Sequence, residues 1–223
     1  MSKRIVIVSG GKLEEEFALS LLTKEENQNI IGVDKGMEFL YRHQIMPSYI
    51  VGDFDSVSRE IGDYYRNETD VPIREYNPVK DASDTEIAIR LAMTLGGREL
   101  LILGATGGRI DHLWANVQSL MIPFKAGVDA RILDEQNRIR LIHGDVTLKR
   151  SEAYGPYFSV FPLGEVIYGF HISGAKYPLE DHVLTPYDSL CVSNQFEEEE
   201  VTISAPGGTV ILMETRDKKA ESI

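Results

Sequence analysis

The stretch Tyr49-Ile50-Val51-Gly52-Asp53-Phe54-Asp55-Ser56-Val57 sets two aspartates two residues apart, directly behind a short apolar run. Carboxylates this close repel one another unless something positive lies between them. Hard oxygen ligands on a loop suit Mg²⁺, which takes one or two carboxylates and completes its shell with water and phosphate oxygens. Gly and Asp are equally the residues of an ordinary solvated turn. A second acidic group lies in Lys80-Asp81-Ala82-Ser83-Asp84-Thr85-Glu86. Ser83 with Glu86 three residues on forms a capping box, so a helix is expected to start near Asp84. Asp81 and Asp84 then cluster at a helix N-terminus, where the dipole tolerates negative charge. Capping explains one of the two acids. The third stretch is Gly104-Ala105-Thr106-Gly107-Gly108-Arg109-Ile110-Asp111-His112. A glycine-rich strand-to-helix turn brings backbone N–H groups close to a phosphate, and Arg109 offers a bidentate grip on its oxygens. The spacing fits neither the Walker pattern nor the dinucleotide fingerprint, and glycines also serve a plain tight turn. A lone histidine beside a helix start, as His112 is, is more often structural than catalytic.

The elements that must position these residues follow from the apolar pattern. Ile5–Val8, Ile30–Val33, Tyr49–Val51 and Leu100–Leu103 are short apolar runs suited to strands buried on both faces. Helices are expected from about Glu14 to Leu22, Met37 to His43 and Ile61 to Arg66, and a strand from Val71 to Tyr76. A helix with Ile87, Leu91 and Leu95 on its apolar face should end at Gly96-Gly97. Another is expected from about Leu113 to Met121. This alternation predicts a Rossmann-like, mostly parallel sheet with flanking helices and right-handed crossovers. In such sheets ligands bind outside the carboxyl ends of the strands, which is where the aspartates and the glycine turn fall.

Near Asp129 the pattern changes. Ala130–Leu133, Arg138–Ile142, Val146–Lys149, Tyr157–Phe161, Val166–Ile172, Leu190–Ser193, Val201–Ser204 and Thr209–Glu214 are short segments separated by turn residues. They predict a small antiparallel β sandwich or barrel. The expected domains are 1–126 and 127–223. Glu197–Glu200 reads as a solvated hairpin tip, and residues 216–223 as a polar, frayed end.

Bulk properties narrow the classes. A chain of 223 residues with 43% hydrophobic and 26% charged residues fits one or two globular domains. A net charge of −12 argues against nucleic-acid partners, which need a basic surface. One cysteine, Cys191, excludes an internal disulfide and a cysteine-rich zinc site. The first apolar run meets Gly10-Gly11 too early for a signal peptide. No window approaches the ~20 apolar residues that span a bilayer. A cytoplasmic protein with no membrane partner is expected.

Taken together, the sequence resembles the thiamine pyrophosphokinase (thiamine diphosphokinase) family. The matching elements are Val33-Asp34-Lys35-Gly36, Gly52-Asp53-Phe54-Asp55-Ser56, Lys80–Asp84, and Gly104–His112 with Asn116. Lys176-Tyr177-Pro178-Leu179 and Ser193-Asn194 followed by Phe196 extend the likeness into the β part. Each motif is weak alone; their order along nearly the whole chain is specific. The resemblance implies transfer of a pyrophosphoryl group from ATP to the thiamine hydroxyl, giving thiamine diphosphate and AMP. It implies Mg²⁺ held by Asp53, Asp55 and Asp84, with Asp111 close by and Arg109 among the catalytic residues. The nucleotide would meet Asp34, Lys35, Gly36, Asp81, Thr106, Gly107, Gly108, Arg109 and His112. It further implies a homodimer in which thiamine lies between subunits, approached by Ser193 and Asn194 of the partner chain. Two departures stand out: Lys35 occupies a position where the family often has glycine or arginine, and Ser83 one where threonine is commoner. Two rival readings remain. One is an Asp-x-Asp phosphohydrolase of haloacid-dehalogenase type, although here the pair follows the third strand rather than the first. The other is a non-catalytic nucleotide- or thiamine-binding dimer.

Overall fold

A computed structural model of the chain describes residues 3–24, 29–52, 54–74 and 82–218. It divides into two compact units, Met1–Asp134 and Glu135–Ile223. No helix among the described residues is long and apolar enough to cross a membrane.

Among the described residues of the first unit, six strands alternate with helices: β1 (Arg4–Val8), α1 (Glu15–Leu22), β2 (Asn29–Val33), α2 (Gly36–Arg42), β3 (Tyr49–Val51), α3 (Arg59–Asn67), β4 (Ile73–Arg74), α4 (Asp84–Thr94), β5 (Glu99–Leu103), α5 (Ile110–Ser119), α6 (Met121–Lys125) and β6 (Asp129–Leu133). All pairings are parallel, in the spatial order β4-β3-β2-β1-β5-β6. The central strands β1, β2, β3 and β5 read as largely apolar runs, the pattern of a sheet buried on both faces, and Ile5, Val6, Ile7 and Val8 are fully buried. The chain builds outward from β1 to β4, then returns to lay β5 on the other side of β1. The strand order therefore reverses between β1 and β5, opening a crevice at their carboxyl ends.

Two expectations change here. Residues 130–133 do not begin the β part: β6 extends the parallel sheet, Leu100 facing Ala130, so the division falls at Asp134/Glu135 rather than 126/127. An apolar strand of five residues carries no local mark of which sheet it joins. Helix α5 starts at Ile110, not near Leu113, because Arg109 is extended (φ −63°, ψ 131°) and nothing after it resists helix formation. Asp111 and His112 therefore lie in its first turn. Helix α4 starts where expected, with Ser83 Oγ accepting from the Glu86 amide at 3.2 Å, but the Glu86 carboxylate accepts from Arg90 instead of closing the box.

The second unit is antiparallel, with β7 (Asn137–Lys149), β8 (Tyr157–Pro162), β9 (Ile167–Ser173), β10 (Leu179–Leu184), β11 (Asn194–Gln195) and β12 (Glu200–Thr215). The sixteen-residue β12 organises it. One edge of β12 pairs with β7 along its length; the other pairs with β9 and then with β8. Phe158, Phe170, Leu184, Val210 and Leu212 fill the core between. What the sequence divides into Arg138–Ile142 and Val146–Lys149 is one strand, as are Val201–Ser204 and Thr209–Glu214. Gly144 (φ 66°) faces Ala205, just before the register shift at Pro206-Gly207-Gly208. These glycines bend a continuous ladder instead of ending it. Leu190–Ser193 is not a strand: Asp188 Oδ1 accepts from the Leu190 amide at 2.9 Å, and the Val192 amide bonds Ser189 O, giving turns. Strand β10 is unmarked in the sequence because its middle, Glu180-Asp181-His182, is polar and bulged, with Asp181 at φ 48°.

Candidate active site

The crevice at the strand-order reversal holds a cavity of about 530 Å³. Its walls come from the loop after β1 (Ser9-Gly10-Gly11), the loop after β2 (Asp34-Lys35), the glycine turn after β5, and one face of α5. Arg109, His112, Leu113 and Asn116 line it at helical spacings of three, one and three residues, which is one side of α5.

Two loops are sewn together at its floor. The Ser9 amide donates to Leu103 O and the Gly11 amide to Gly104 O, both at 2.8 Å. The fit admits no side chain: a Cβ on Gly104, at φ 63°, would lie 2.3 Å from Ser9 O. The glycine turn is braced on both sides. Asn116 Nδ2 donates to Ala105 O at 3.0 Å, buried, and Thr106 Oγ1 donates to Asp134 Oδ2 at 2.6 Å. On the wall, the buried hydroxyls of Ser9 and Thr85 share a hydrogen bond of 3.0 Å. That bond ties the end of β1 to the start of α4.

The anticipated residues separate into groups. Asp34, Lys35, Thr106, Gly108, Arg109 and His112 line the cavity, as does Ser56 of the acidic turn. Gly36 does not: it is buried, and a Cβ there would lie 1.9 Å from Val8 O, so it packs α2 against β1. Gly107 and Asp111 are off the lining. Asp55 is exposed and Asp84 half-buried, at the ends of β3 and α4. Asp53 and Asp81 lie outside the described residues. Asp34 connects the cavity to the acidic turn: its Oδ1 would sit 2.4 Å from a Cβ on Gly52, so only glycine lets β3 end beside this carboxylate.

The charge at the cavity mouth is organised by Arg109 and Asp111. Arg109 donates to Asp111 through Nε at 3.1 Å and Nη2 at 2.5 Å, and Asp111 Oδ1 also accepts from the His112 amide at 2.9 Å. The Arg109 hydrogen bond, foremost, holds the Asp111 carboxyl below the usual carboxylate range, and Asp111 in turn raises Arg109. Arg109 therefore already holds an oxyanion in the two-point geometry that a phosphate would use. Lys35 adds a second cation in a chain that is acidic as a whole.

For a metal, the donors in this region (Asp34, Asp55, Asp84, Ser56, Thr85) are all hard oxygens, the chemistry that Mg²⁺ takes. Among the described residues no group of three or more His, Cys, Asp or Glu is placed to hold a metal ion.

In the second unit, Ser193 is exposed and left-handed at φ 56°. Its amide donates to Ser159 Oγ at 3.0 Å. Asn194 is 2% exposed and serves the fold: Oδ1 accepts from the amides of Tyr177 and Gln195, and Nδ2 donates to Tyr177 O. Its amide ties the segment that ends at Ser193 to the separate loop that carries Tyr177.

Sequence reasoning passed over Ser9, Gly10, Gly11 and Thr85. Ser9-Gly10-Gly11 reads as a strand stop, and only the return of β5 beside β1 makes that stop a wall. Thr85 is hidden within a capping sequence.

Comparison with known proteins agrees with this architecture. The family model described as "Thiamin pyrophosphokinase, catalytic domain" matches residues 21–132. The one described as "Thiamin pyrophosphokinase, vitamin B1 binding domain" matches residues 145–210. The chain is 33% identical over 217 residues to a thiamine pyrophosphokinase of Bacillus subtilis, covering 96% of this chain and 100% of that one. A thiamine pyrophosphokinase 1 of Arabidopsis thaliana is 27% identical over 175 residues, 74% of this chain and 64% of that protein. The crystal structure of the Bacillus subtilis thiamine pyrophosphokinase superposes with a TM-score of 0.85 at 29% identity, covering 97% of this chain and all of that one. The yeast thiamin pyrophosphokinase structure shares the fold at a TM-score of 0.81 and 16% identity, covering 96% of this chain and 87% of its own.

Proposed function

The chain belongs to the thiamine pyrophosphokinase family of enzymes, and from that premise we propose that it transfers the pyrophosphoryl group of ATP to the hydroxyl of thiamine, releasing AMP. The observation that carries this reading is the cavity at the β1/β5 reversal, where a braced glycine turn, Lys35 and Arg109 converge. The rival phosphohydrolase gives this turn no role, and the relatives named above are thiamine pyrophosphokinases, not phosphatases. The site cations and carboxylates are present, which disfavours a binding-only protein.

In this reading the glycine turn offers amides to the triphosphate. Lys35, Arg109, Thr106 and His112 line its path, and Asp34 faces the nucleoside from the end of β2. Arg109 exchanges its Asp111 partner for phosphate oxygens. Asp53, Asp55 and Asp84 would hold Mg²⁺, which when bound neutralises phosphate charge. The thiamine hydroxyl oxygen bonds the β-phosphorus as the bond from that phosphorus to the α,β-bridging oxygen breaks, AMP leaves and the hydroxyl proton is lost. A carboxylate among Asp53, Asp84 and Asp111, the last released when Arg109 turns to the phosphates, accepts that proton. The enzyme's part is positioning and charge neutralisation. Thiamine is taken by the second unit, with Ser193 offered by a homodimer partner and Asn194 shaping its loop. The exposed Tyr168, Tyr177, Val183, Tyr187 and Leu190 support burial of that unit's surface in a dimer. The cytoplasm, where ATP and Mg²⁺ are available, is its proposed location.

The test is the nucleotide product on incubation with ATP, Mg²⁺ and thiamine. AMP formed one-for-one with thiamine diphosphate is the expected result. ADP with thiamine monophosphate, or no thiamine-dependent product, overturns the reading.

A further inference from the structure

The acidic turn is built on a residue in an unfavourable conformation. Phe54 has φ 64°, where a bulky side chain is an outlier that persists only if its surroundings enforce it. Its ring is 8% exposed and packs with Met37, Ile50, Ile61 and Tyr65. Helix α3 supplies two further constraints on that ring. A Cβ on Gly62 would come within 3.3 Å of Phe54 Cδ1, so the glycine leaves the ring its room. The Arg66 guanidinium lies over the ring face, 4.1 Å from its centroid.

Three residues on, Val57 packs against the same cluster, and its amide donates to Phe54 O at 3.3 Å. That bond closes a turn whose two central residues are Asp55 and Ser56. Both are exposed, and Ser56 lines the cavity. The exit is fixed as well: the Ser58 amide donates to Glu38 Oε1 at 2.8 Å. The turn thus has two apolar feet in the core and two polar residues at its crest.

We infer that Phe54 is a positioning residue, whose ring, seated beside Gly62 under Arg66, holds the left-handed backbone that presents Asp55 and Ser56 at the end of β3. The inference rests on the proposed roles of that turn in metal and nucleotide binding. Glycine at position 54 would adopt φ 64° freely but would lose the anchor, so the turn would wander. A ring that only filled the core would, when removed, lower stability and leave binding alone.

The experiment uses the full chain and two readouts, each taken well below the thermal midpoint. One is direct Mn²⁺ binding, from the spin-resonance signal of free Mn²⁺ without substrates; the other is the KM for ATP. Phe54→Gly is expected to weaken Mn²⁺ binding by about tenfold or more, the usual scale for losing an outer-shell support, and to raise the KM for ATP. Mn²⁺ affinity and KM both at wild-type values, with only the thermal midpoint lowered, overturn the inference. Arg66→Met, which spares backbone and core, takes the place of Phe54→Gly if the latter does not fold, and is judged by the same two outcomes. Asp55→Asn is the control. If it leaves Mn²⁺ binding unchanged, the metal assignment falls, and the KM for ATP in Phe54→Gly alone decides the inference.

Discussion

Asn116, buried on the cavity face of α5, donates from Nδ2 to the carbonyl oxygen of Ala105 at 3.0 Å, spanning from the helix back to the glycine turn that precedes it. The bond fixes the turn to the helix that carries Arg109 and His112, so the two can move only together. Asn116→Ala leaves a buried carbonyl without this donor, a loss of about 1–3 kcal/mol. If the loss falls on the nucleotide-bound turn, the expected result is a KM for ATP raised by about tenfold per 1.4 kcal/mol, with kcat changed less. Steady-state kinetics with ATP varied will show this.

Asp55→Asn keeps the size of the side chain and removes its charge. The residue is exposed, so its replacement is expected to move the thermal midpoint little. Turnover should fall by about 10²-fold or more, the scale of losing one preorganised electrostatic group. Turnover comparable to wild type would remove Asp55 from the metal set.

Glu214, 2% exposed on β12, accepts from Arg138 through both carboxylate oxygens and lies 3.7 Å from Arg140. Removing one partner of a buried pair strands the others, at about 3–5 kcal/mol. Glu214→Gln is expected to lower the urea-unfolding free energy of the second unit by that amount.

Burial, foremost, and the nearby Asp188 charge push the Cys191 thiol up to about 12. A group whose pKa is higher folded than unfolded stabilises below its unfolded value and loses that contribution as pH rises toward the folded one. Stability should therefore decline above about pH 9, where an ordinary thiol ionises, and Cys191→Ala should flatten the decline. At pH 8 iodoacetamide should label Cys191 far more slowly in the native protein than in urea.

Asp188 moves the other way. Its carboxyl is held below the usual range, first by the Leu190 amide and then by His182, whose Nε2 is 2.6 Å from Asp188 Oδ2. A lowered carboxyl stabilises above its unfolded value, about 3.9, and the contribution is lost as pH falls through the lower folded value. Asp188→Asn should cost stability at neutral pH and flatten the acid limb of the unfolding profile, followed by circular dichroism.

By itself the sequence determined the strands of the first unit, the helices between them except α6, the cap at Ser83 and the residue types, though not the placement, of Asp55, Arg109 and the glycine turn. These are local properties: apolar runs, capping side chains and backbone freedom act within a few residues. Tertiary structure decided what no local pattern encodes. Burial says that a strand has neighbours but not which ones. Only the pairing of β5 beside β1 turned Ser9-Gly10-Gly11 into a cavity wall, and only that of β6 beside β5 drew residues 129–133 into the parallel sheet. The same holds for side chains that look alike in sequence: Asn194 is spent on Tyr177 and Gln195, while Ser193 beside it is exposed. Glycine at 144 and 207 signals a break but cannot say whether the chain turns or bends. The partner strand, running past both, settled that.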